Sequence, residues 1–521
     1  MNRKRLILTV LFSMLAFPLW GWAQPADERA KKIEAVEAGL IPLGAVHGEA
    51  APPMRLEERM ARYKVPGVSV AVINNFEIEW ARGYGVMEVG GDAPVTTKTL
   101  FQAASISKPV AATAALRLVQ EGHLSLDEDV NTRLQSWQVP ESKQTQNEKV
   151  TLRRLVTHSA GLTVHGFRGY AKGEAVPSII QVLDGGDPAN SPAIYADLVP
   201  GTQWRYSGGG YTVMQQLLED VTGEAFPDIL RTRVLDPMGM VHSTYEQPLP
   251  QHLAFVAATG HRSSGKPVAG LWHTYPEMAA AGLWTTPSDL ARFAIELQRS
   301  KAGQSNKVLS AEMTQQMLTA GIGGWGLGPA VEGSSDSLSF SHGGANEGFR
   351  CFLYAYAETG QGVAIMTNSD NGGRLARELL GSIARAYGWP DFRSEEGRKP
   401  ISAVLGETIW AEGVEAAAAL YHDLKRTDPD AYDFREFQLN NLGYQYLRGS
   451  DIETAIEIFK LNVDAFPDAF NPYDSLGEAY MIHGDTEQAI INYKKSLDLN
   501  PNNTNAVEML AKMGVEWKAQ H

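Results

Sequence analysis

A lone cysteine, Cys351, has no partner elsewhere in the chain, so no internal disulfide framework and no multi-cysteine zinc or iron–sulfur site can be built. Positive charge is also in short supply. Lys and Arg number 46 against 60 Asp and Glu, giving a formal net charge of −14 over 521 residues. That balance argues against nucleic acid or an anionic membrane surface as a general partner. Collagen-like and low-complexity stretches are missing, and a hydrophobic fraction of 44% excludes wholesale disorder. The apolar run near the N-terminus, Leu6 to about Trp20, is shorter than the roughly 20 residues a membrane span needs.

That run has the three parts of an export signal. Arg3-Lys4-Arg5 precedes it, and Gly21-Trp22-Ala23 places small residues at −3 and −1 of a cleavage site before Gln24. The expectation is a signal peptide over 1–23 and a mature protein that is periplasmic or secreted, with no stable membrane span. Beyond it, Glu28 to Leu43 is patterned as an amphipathic helix. Val68 to Ile73 alternates as a strand and ends at Asn74-Asn75, and Glu77 to Tyr84 could pair with it as a hairpin. A helix is expected from about Ser107 to Gln120, closed by Gly122. Strand signals return at Leu338–Ser341, Cys351–Ala357 and Gly362–Thr367, followed by a helix from about Arg374 to Tyr387. Strands at both ends of a long region, with helices between, predict an α/β fold: one sheet built from both chain ends beside a helical lobe.

Composition shifts at Ser394–Pro400, which marks a domain boundary. Beyond it the chain is helical and repeats at an offset of 34: Leu442-Gly443 recurs as Leu476-Gly477, Tyr446 as Tyr480, Ala455 as Ala489, Phe459 as Tyr493 and Pro467 as Pro501. This resembles the tetratricopeptide repeat, in which small residues let two helices approach and aromatics fill the gaps. Two repeats are expected, about 436–469 and 470–503, with capping helices over Glu407–Lys425 and Asn505–Lys518.

Three short segments carry the chemistry. In Ser105-Ile106-Ser107-Lys108 the serine opens a helix and the lysine lies one turn on, which holds an ammonium beside a hydroxyl at the positive end of a helix dipole. A second Ser-x-x-Lys, Ser263 to Lys266, sits in a Ser/Gly loop with no helix behind it and is set aside. Tyr206-Ser207 followed by Gly208, Gly209 and Gly210 suits a tight loop against a ligand or another backbone. Ser341-His342-Gly343-Gly344-Ala345 follows a strand signal, with glycines that let a substrate approach the main chain.

In this order the three resemble the motifs of the penicillin-recognising serine hydrolases: Ser-x-x-Lys, Tyr-x-Asn, and Lys-Thr-Gly or His-x-Gly. Within that superfamily the chain is similar to the class C β-lactamase and D-alanyl-D-alanine carboxypeptidase branch. Leu155–Leu162 and Ala280–Ala291 resemble two further stretches of that branch, and the resemblance spans about Leu56 to Tyr387. It implies a β-lactamase-like antiparallel sheet flanked by helices, over a domain of residues 24–399, with an all-α tetratricopeptide-like region over 400–521. It also implies Ser105 as the acylated nucleophile, Lys108 and Tyr206 as its proton partners, and the main-chain N–H groups of Ser105 and Ala345 as the oxyanion hole. His342, Gly343, Gly344 and Gly208 would contact substrate. Which of Lys108 and Tyr206 is the base stays open.

Two departures bear on substrate. Gly208 stands where Asn is usual, and His342 where Lys is usual, so a fixed ammonium facing a substrate carboxylate is absent or conditional. The expected activity is an exported serine hydrolase acting on an amide, peptide or ester, with a D-aminoacyl peptide as one substrate, and with β-lactamase or short-acyl esterase as alternatives. No metal or organic cofactor is implied. The rival from another class is a scaffold that binds a protein or peptide through its repeats. His158 is read as holding a loop and Cys351 as buried, while Glu347 and Arg350 lie near the site.

Overall fold

The computed structural model describes residues 25–41, 53–390, 399–449, 451–501, 503–515 and 517. The signal-like segment 1–23 and most of the boundary segment, 394–398, lie outside the described residues. Helix α1 (Pro25–Glu37) is shorter at its C-terminal end than the sequence pattern suggests, because Leu40 leaves the helix to bridge Met54. Helix α2 (Leu56–Arg62) leads into strands β1 (Gly67–Asn74) and β2 (Glu77–Gly85), which form the expected hairpin. Helix α3 (Ser107–Gln120) matches its expected limits and is followed by Gly122 at φ +80°, the left-handed backbone that glycine tolerates.

The chain returns to the sheet only after the helical lobe, which contains α4 (Gly208–Thr222), α5 (Met278–Ala281) and α6 (Pro287–Lys301). Strands β3 (Ala330–Glu332), β4 (Ser339–Asn346), β5 (Phe349–Tyr356) and β6 (Gly362–Thr367) complete a six-stranded antiparallel sheet in the order β2-β1-β6-β5-β4-β3. The hydrogen bonds between β1 and β6 join strands some 300 residues apart in sequence. Both are buried along nearly their whole length. Period-2 alternation sends their side chains to opposite faces: Val68, Val70, Val72, Val363 and Ile365 pack with α1 and the following α7 (Gly372–Tyr387), while Ala71, Ile73, Ala364 and Met366 join the core shared with α3, α4 and α6. The segment His342–Ala345 lies inside β4 rather than beyond a strand end, a correction to the sequence reading: the glycines remain in the ladder with β5.

Among the described residues seven helices follow: α8 (Ile401–Glu412), α9 (Val414–Thr427), α10 (Glu436–Arg448), α11 (Ile452–Ala465), α12 (Phe470–His483), α13 (Thr486–Leu499) and α14 (Thr504–Lys512). The stretch expected as one capping helix, Glu407–Lys425, is two helices broken at Gly413, φ +95°. The last described helix ends at Lys512, and the expected end at Lys518 lies outside the described residues. The 34-residue repetition in sequence recurs in the packing. A Cβ on Gly443 would sit 2.5 Å from the Phe459 ring, and one on Gly477 would sit 3.1 Å from the Tyr493 ring, so each glycine admits the aromatic of the next helix. Among the described residues no helix is long and apolar enough to cross a membrane.

The helical region is tied to the sheet unit by polar contacts from α2 and α7. Arg59 pairs with Glu378 and with Glu407 of α8, the Arg62 guanidinium lies 4.0 Å over the Trp410 ring, and Arg374 donates to Gln445 (2.6 Å).

Candidate active site

Ser105 sits in a single 3-10 turn, Ala104–Ile106, that feeds α3. The turn is pinned on both sides. Ala104 holds φ +51°, the Ser107 hydroxyl donates to Ala104 O (2.5 Å), and the same hydroxyl accepts from the Leu283 N–H (3.0 Å). Helix α3 tolerates Pro109 because the first turn needs no N–H donor there. Its alanine-rich body lets it sit in the core, and that position forces Lys108 underground. The ammonium donates to Ser105 Oγ (3.1 Å) and to Ala280 O of α5 (2.8 Å). Burial pulls the lysine down to about 7 from its ordinary value of 10.5, so a large share is a neutral amine at neutral pH. Ser105 and Lys108 are thus brought together as a hydroxyl and a group able to take its proton.

Tyr206 closes the other side of Ser105. Burial pushes its phenol well above the usual value, opposed by a hydrogen bond with Ser105, so the phenol is protonated and serves as a donor. The ring is set by His158, which lies 4.1 Å from it centre to centre and whose Nδ1 accepts from the Ser207 N–H (3.1 Å). His158 therefore does more than hold a loop: it orients the tyrosine. The Lys108 ammonium lies 5.0 Å from the centre of the Tyr206 ring, within cation–π reach.

Strand β4 forms the opposite wall. Gly344 is required by close approach, since a Cβ there would lie 2.3 Å from Ala103 O, just ahead of Ser105. Asn346 Nδ2 donates to Gln102 Oε1 (2.9 Å) and Ala281 O (3.1 Å), tying β4 to the nucleophile loop and to α5. Ser105, Lys108, Tyr206, His342, Gly343, Gly344 and Ala345 all line one cavity of about 550 Å³. Gly344→Ala is expected to push the nucleophile turn away from β4 and lower the acylation rate at least about tenfold, since small misplacements at a reacting centre are costly. Stopped-flow acylation rates beside a thermal melt check this.

Two sequence expectations change here. His342 lines the cavity, but its imidazole is buried, and burial together with the Lys108 charge holds it down at about 3. It is therefore a neutral ring, with Nδ1 2.6 Å from Gly343 O and Nε2 unpartnered, and the conditional cation does not form near neutral pH. Gly208 does not line the cavity. It opens α4 beneath Phe167, and a Cβ there would lie 3.0 Å from that ring and 3.1 Å from His165 O. Cys351 is buried against Gln102 O and its thiol is pushed up to about 12, so it stays protonated. Glu347 faces away to pair with Arg262, whereas Arg350 reaches the cavity and is held by Asp370 (3.0 Å).

Residues that the motifs did not flag complete the lining: His165, Phe167 and Trp325 near Tyr206, and Arg377 of α7 beyond β4. The only sequence sign of the first two was Gly208 itself, an absent side chain that implies something packed in its place. Among the described residues lining the cavity there is no carboxylate.

A family model described as "Beta-lactamase" matches residues 55–387. The chain is 27% identical to "Penicillin-binding protein 4" of Amycolatopsis lactamdurans over 381 residues, 69% of this chain and 97% of that protein. It is 24% identical to "Protein flp" of Staphylococcus aureus (strain N315) over 335 residues, 60% of this chain and 61% of that protein. Among solved structures it is similar to the octameric penicillin-binding protein homologue from Pyrococcus abyssi, with a TM-score of 0.55, 23% identity, and coverage of 68% of this chain and 80% of that one. It is also similar to the D-alanine carboxypeptidase AmpC from Burkholderia cenocepacia, with a TM-score of 0.50, 20% identity, and coverage of 69% and 99%. At these identities the structural likenesses speak to the fold.

Proposed function

The chain belongs to the Beta-lactamase family, and from that premise we propose that it is an exported serine hydrolase that cleaves an ester or amide through an acyl-Ser105 intermediate. The observation that carries the reading is the 3.1 Å contact between Lys108 Nζ and Ser105 Oγ, made by an amine that burial holds near 7. The neutral Lys108 amine takes the Ser105 proton as Oγ attacks the carbonyl carbon. The oxyanion is received by the main-chain N–H groups of Ser105 and Ala345, each such donor being worth about 3 kcal/mol of transition-state stabilisation. Tyr206 gives its phenol proton to the leaving group and regains one from the Lys108 ammonium. Water then enters by the reverse sequence and releases the acid.

The charge of the cavity narrows the substrate. With no carboxylate among the described residues of its lining, with Arg377 there and with Arg350 engaged by Asp370, it suits a neutral or anionic substrate. A D-aminoacyl peptide with a free amine would find no counter-charge, so an N-blocked peptide, an ester or a β-lactam fits better. The domain division at 399/400 and a tetratricopeptide-like role for residues 400–521, as a surface for a protein or peptide partner, belong to the same reading. The repeated Gly443–Phe459 and Gly477–Tyr493 packing supports it.

The test is rapid-quench intact mass and peptide mapping of the mature protein after exposure to a p-nitrophenyl alkanoate and, separately, to a penicillin. An acyl mass on the peptide containing Ser105 is expected with the ester. Persistence of the penicilloyl mass marks slow deacylation, and its rapid loss with opened drug marks a β-lactamase. Turnover that survives unchanged in Ser105→Ala would sink the reading.

A further inference from the structure

Beside Tyr206, and opposite β4, the cavity is walled by the loop 163–167, and the way this loop is held is unusual. Its three consecutive carbonyls are all used at the start of α4: Thr163 O accepts from the Ser207 hydroxyl (2.8 Å), Val164 O from the Gly209 N–H (3.0 Å) and His165 O from the Gly208 N–H (2.9 Å). Glycine is needed for this approach, since a Cβ on Gly209 would lie 2.6 Å from Thr163 O. Val164 is held at φ +64°, a left-handed conformation that a β-branched residue adopts only when its surroundings impose it. The next residue is His165. Its ring stands 4.9 Å from the Tyr206 ring, centre to centre, and lines the cavity. Its nitrogens have no hydrogen-bond partner among the described residues. The other two imidazoles around Tyr206 are buried: His158 accepts at Nδ1 from Ser207, His342 has Nδ1 against Gly343 O, and the Nε2 atom of each is enclosed, whereas His165 is exposed. A strained and clamped backbone thus presents one imidazole with free donor and acceptor capacity to the substrate space.

Resting on the hydrolase reading, we propose that His165 is a substrate-binding residue whose neutral imidazole hydrogen-bonds a polar group of the substrate on the Tyr206 side of Ser105. Partial burial and the Lys108 charge lower its pKa, so the ring is an uncharged partner at neutral pH. The group it takes is an uncharged donor or acceptor, an amide or a hydroxyl, next to the scissile bond. Phe167 lines the same cavity and supplies an apolar border.

The experiment measures kcat/KM for two pairs of esters. One pair has an acyl group with or without an acetamido substituent beside the carbonyl, and the other has a leaving alcohol with or without the same group. Wild type is expected to prefer the polar member of one pair by about fivefold to tenfold, the worth of one hydrogen bond. In His165→Phe that ratio is expected to collapse to about one, whatever the absolute rates, and in His165→Asn to be partly restored. The pair that responds identifies the end of the substrate being read. A ratio unchanged in His165→Phe, or no preference in wild type, overturns the proposal while Ser105 acylation still stands. Ester turnover that survives unchanged in Ser105→Ala overturns the hydrolase reading and this one with it. Melting curves of both variants separate a binding loss from a folding loss.

Discussion

Ser105→Ala and Lys108→Met are each expected to abolish acylation for practical purposes, the first by removing the nucleophile and the second by lowering the rate about 10²- to 10⁴-fold through loss of proton transfer. Methionine matches the buried length of Lys108 without its charge. Because Lys108 is held near 7, the neutral amine accumulates as pH rises, and wild-type acylation should climb through about pH 7 to a plateau. His342, at about 3, and His158, pushed well below its usual range, contribute no second limb near neutral pH. The rising limb should vanish in Lys108→Met. A limb that survives there, or one centred near 10 in wild type, would show that another group is the base.

The same substitution is expected to move stability the other way. Between about pH 7 and 10.5 the unfolded chain binds a proton on Lys108 that the folded chain does not, so the stability contributed through this group rises with pH across that window. Lys108→Met removes that cost. It is expected to melt at the wild-type temperature or above, with the gain largest below pH 7, even though the site is dead. Rate and melting point moving in opposite directions cannot be produced by a general folding defect.

The second large effect is on stability. Arg59 and Glu378 are fully buried and meet through two hydrogen bonds, from Nε (2.7 Å) and Nη2 (2.6 Å), while the Tyr63 hydroxyl adds a third to the carboxylate (2.7 Å). The pair locks α2 to α7, and its contact with Glu407 extends the network to α8. Arg59→Ala leaves a carboxylate in the core with its main counter-charge gone and a cavity beside it, and is expected to cost about 3–5 kcal/mol. Replacing both partners with leucine should recover most of that loss, because an apolar pair needs no desolvation. Denaturant unfolding of wild type, Arg59→Leu, Glu378→Leu and the double variant forms the double-mutant cycle, with Arg59→Ala measured beside them. A loss below about 1 kcal/mol in Arg59→Ala, or a double variant as unstable as the single, would show that the pair is not what joins these helices.

Local pattern was enough to locate five of the six strands of the sheet, the three-residue β3 excepted, and for α3, since Val68–Ile73 alternates in the period of a strand and the alanine-rich run after Ser107 is punctuated by Gly122. It was not enough where a single residue outweighed propensity. Gly413 split an otherwise continuous helical stretch into α8 and α9. The segment His342–Ala345 read as a strand end because glycines disfavour strands, yet close approach to Ala103 keeps Gly344 in the ladder.

The sequence by itself determined the family, the order of the three chemical segments and the 34-residue repetition, because each depends on residue types at fixed spacings along one stretch of chain. Tertiary structure alone decided the electrostatics and the walls of the site. Lys108 becomes a base and His342 a neutral ring through burial, which no spacing reports. Arg59 finds Glu378 across 319 residues. The loop carrying His165 reaches Tyr206 because Gly208 and Gly209 leave room for its carbonyls at the head of α4. Protonation state and cavity shape are sums over groups from many segments, and those groups become neighbours only when the chain has folded.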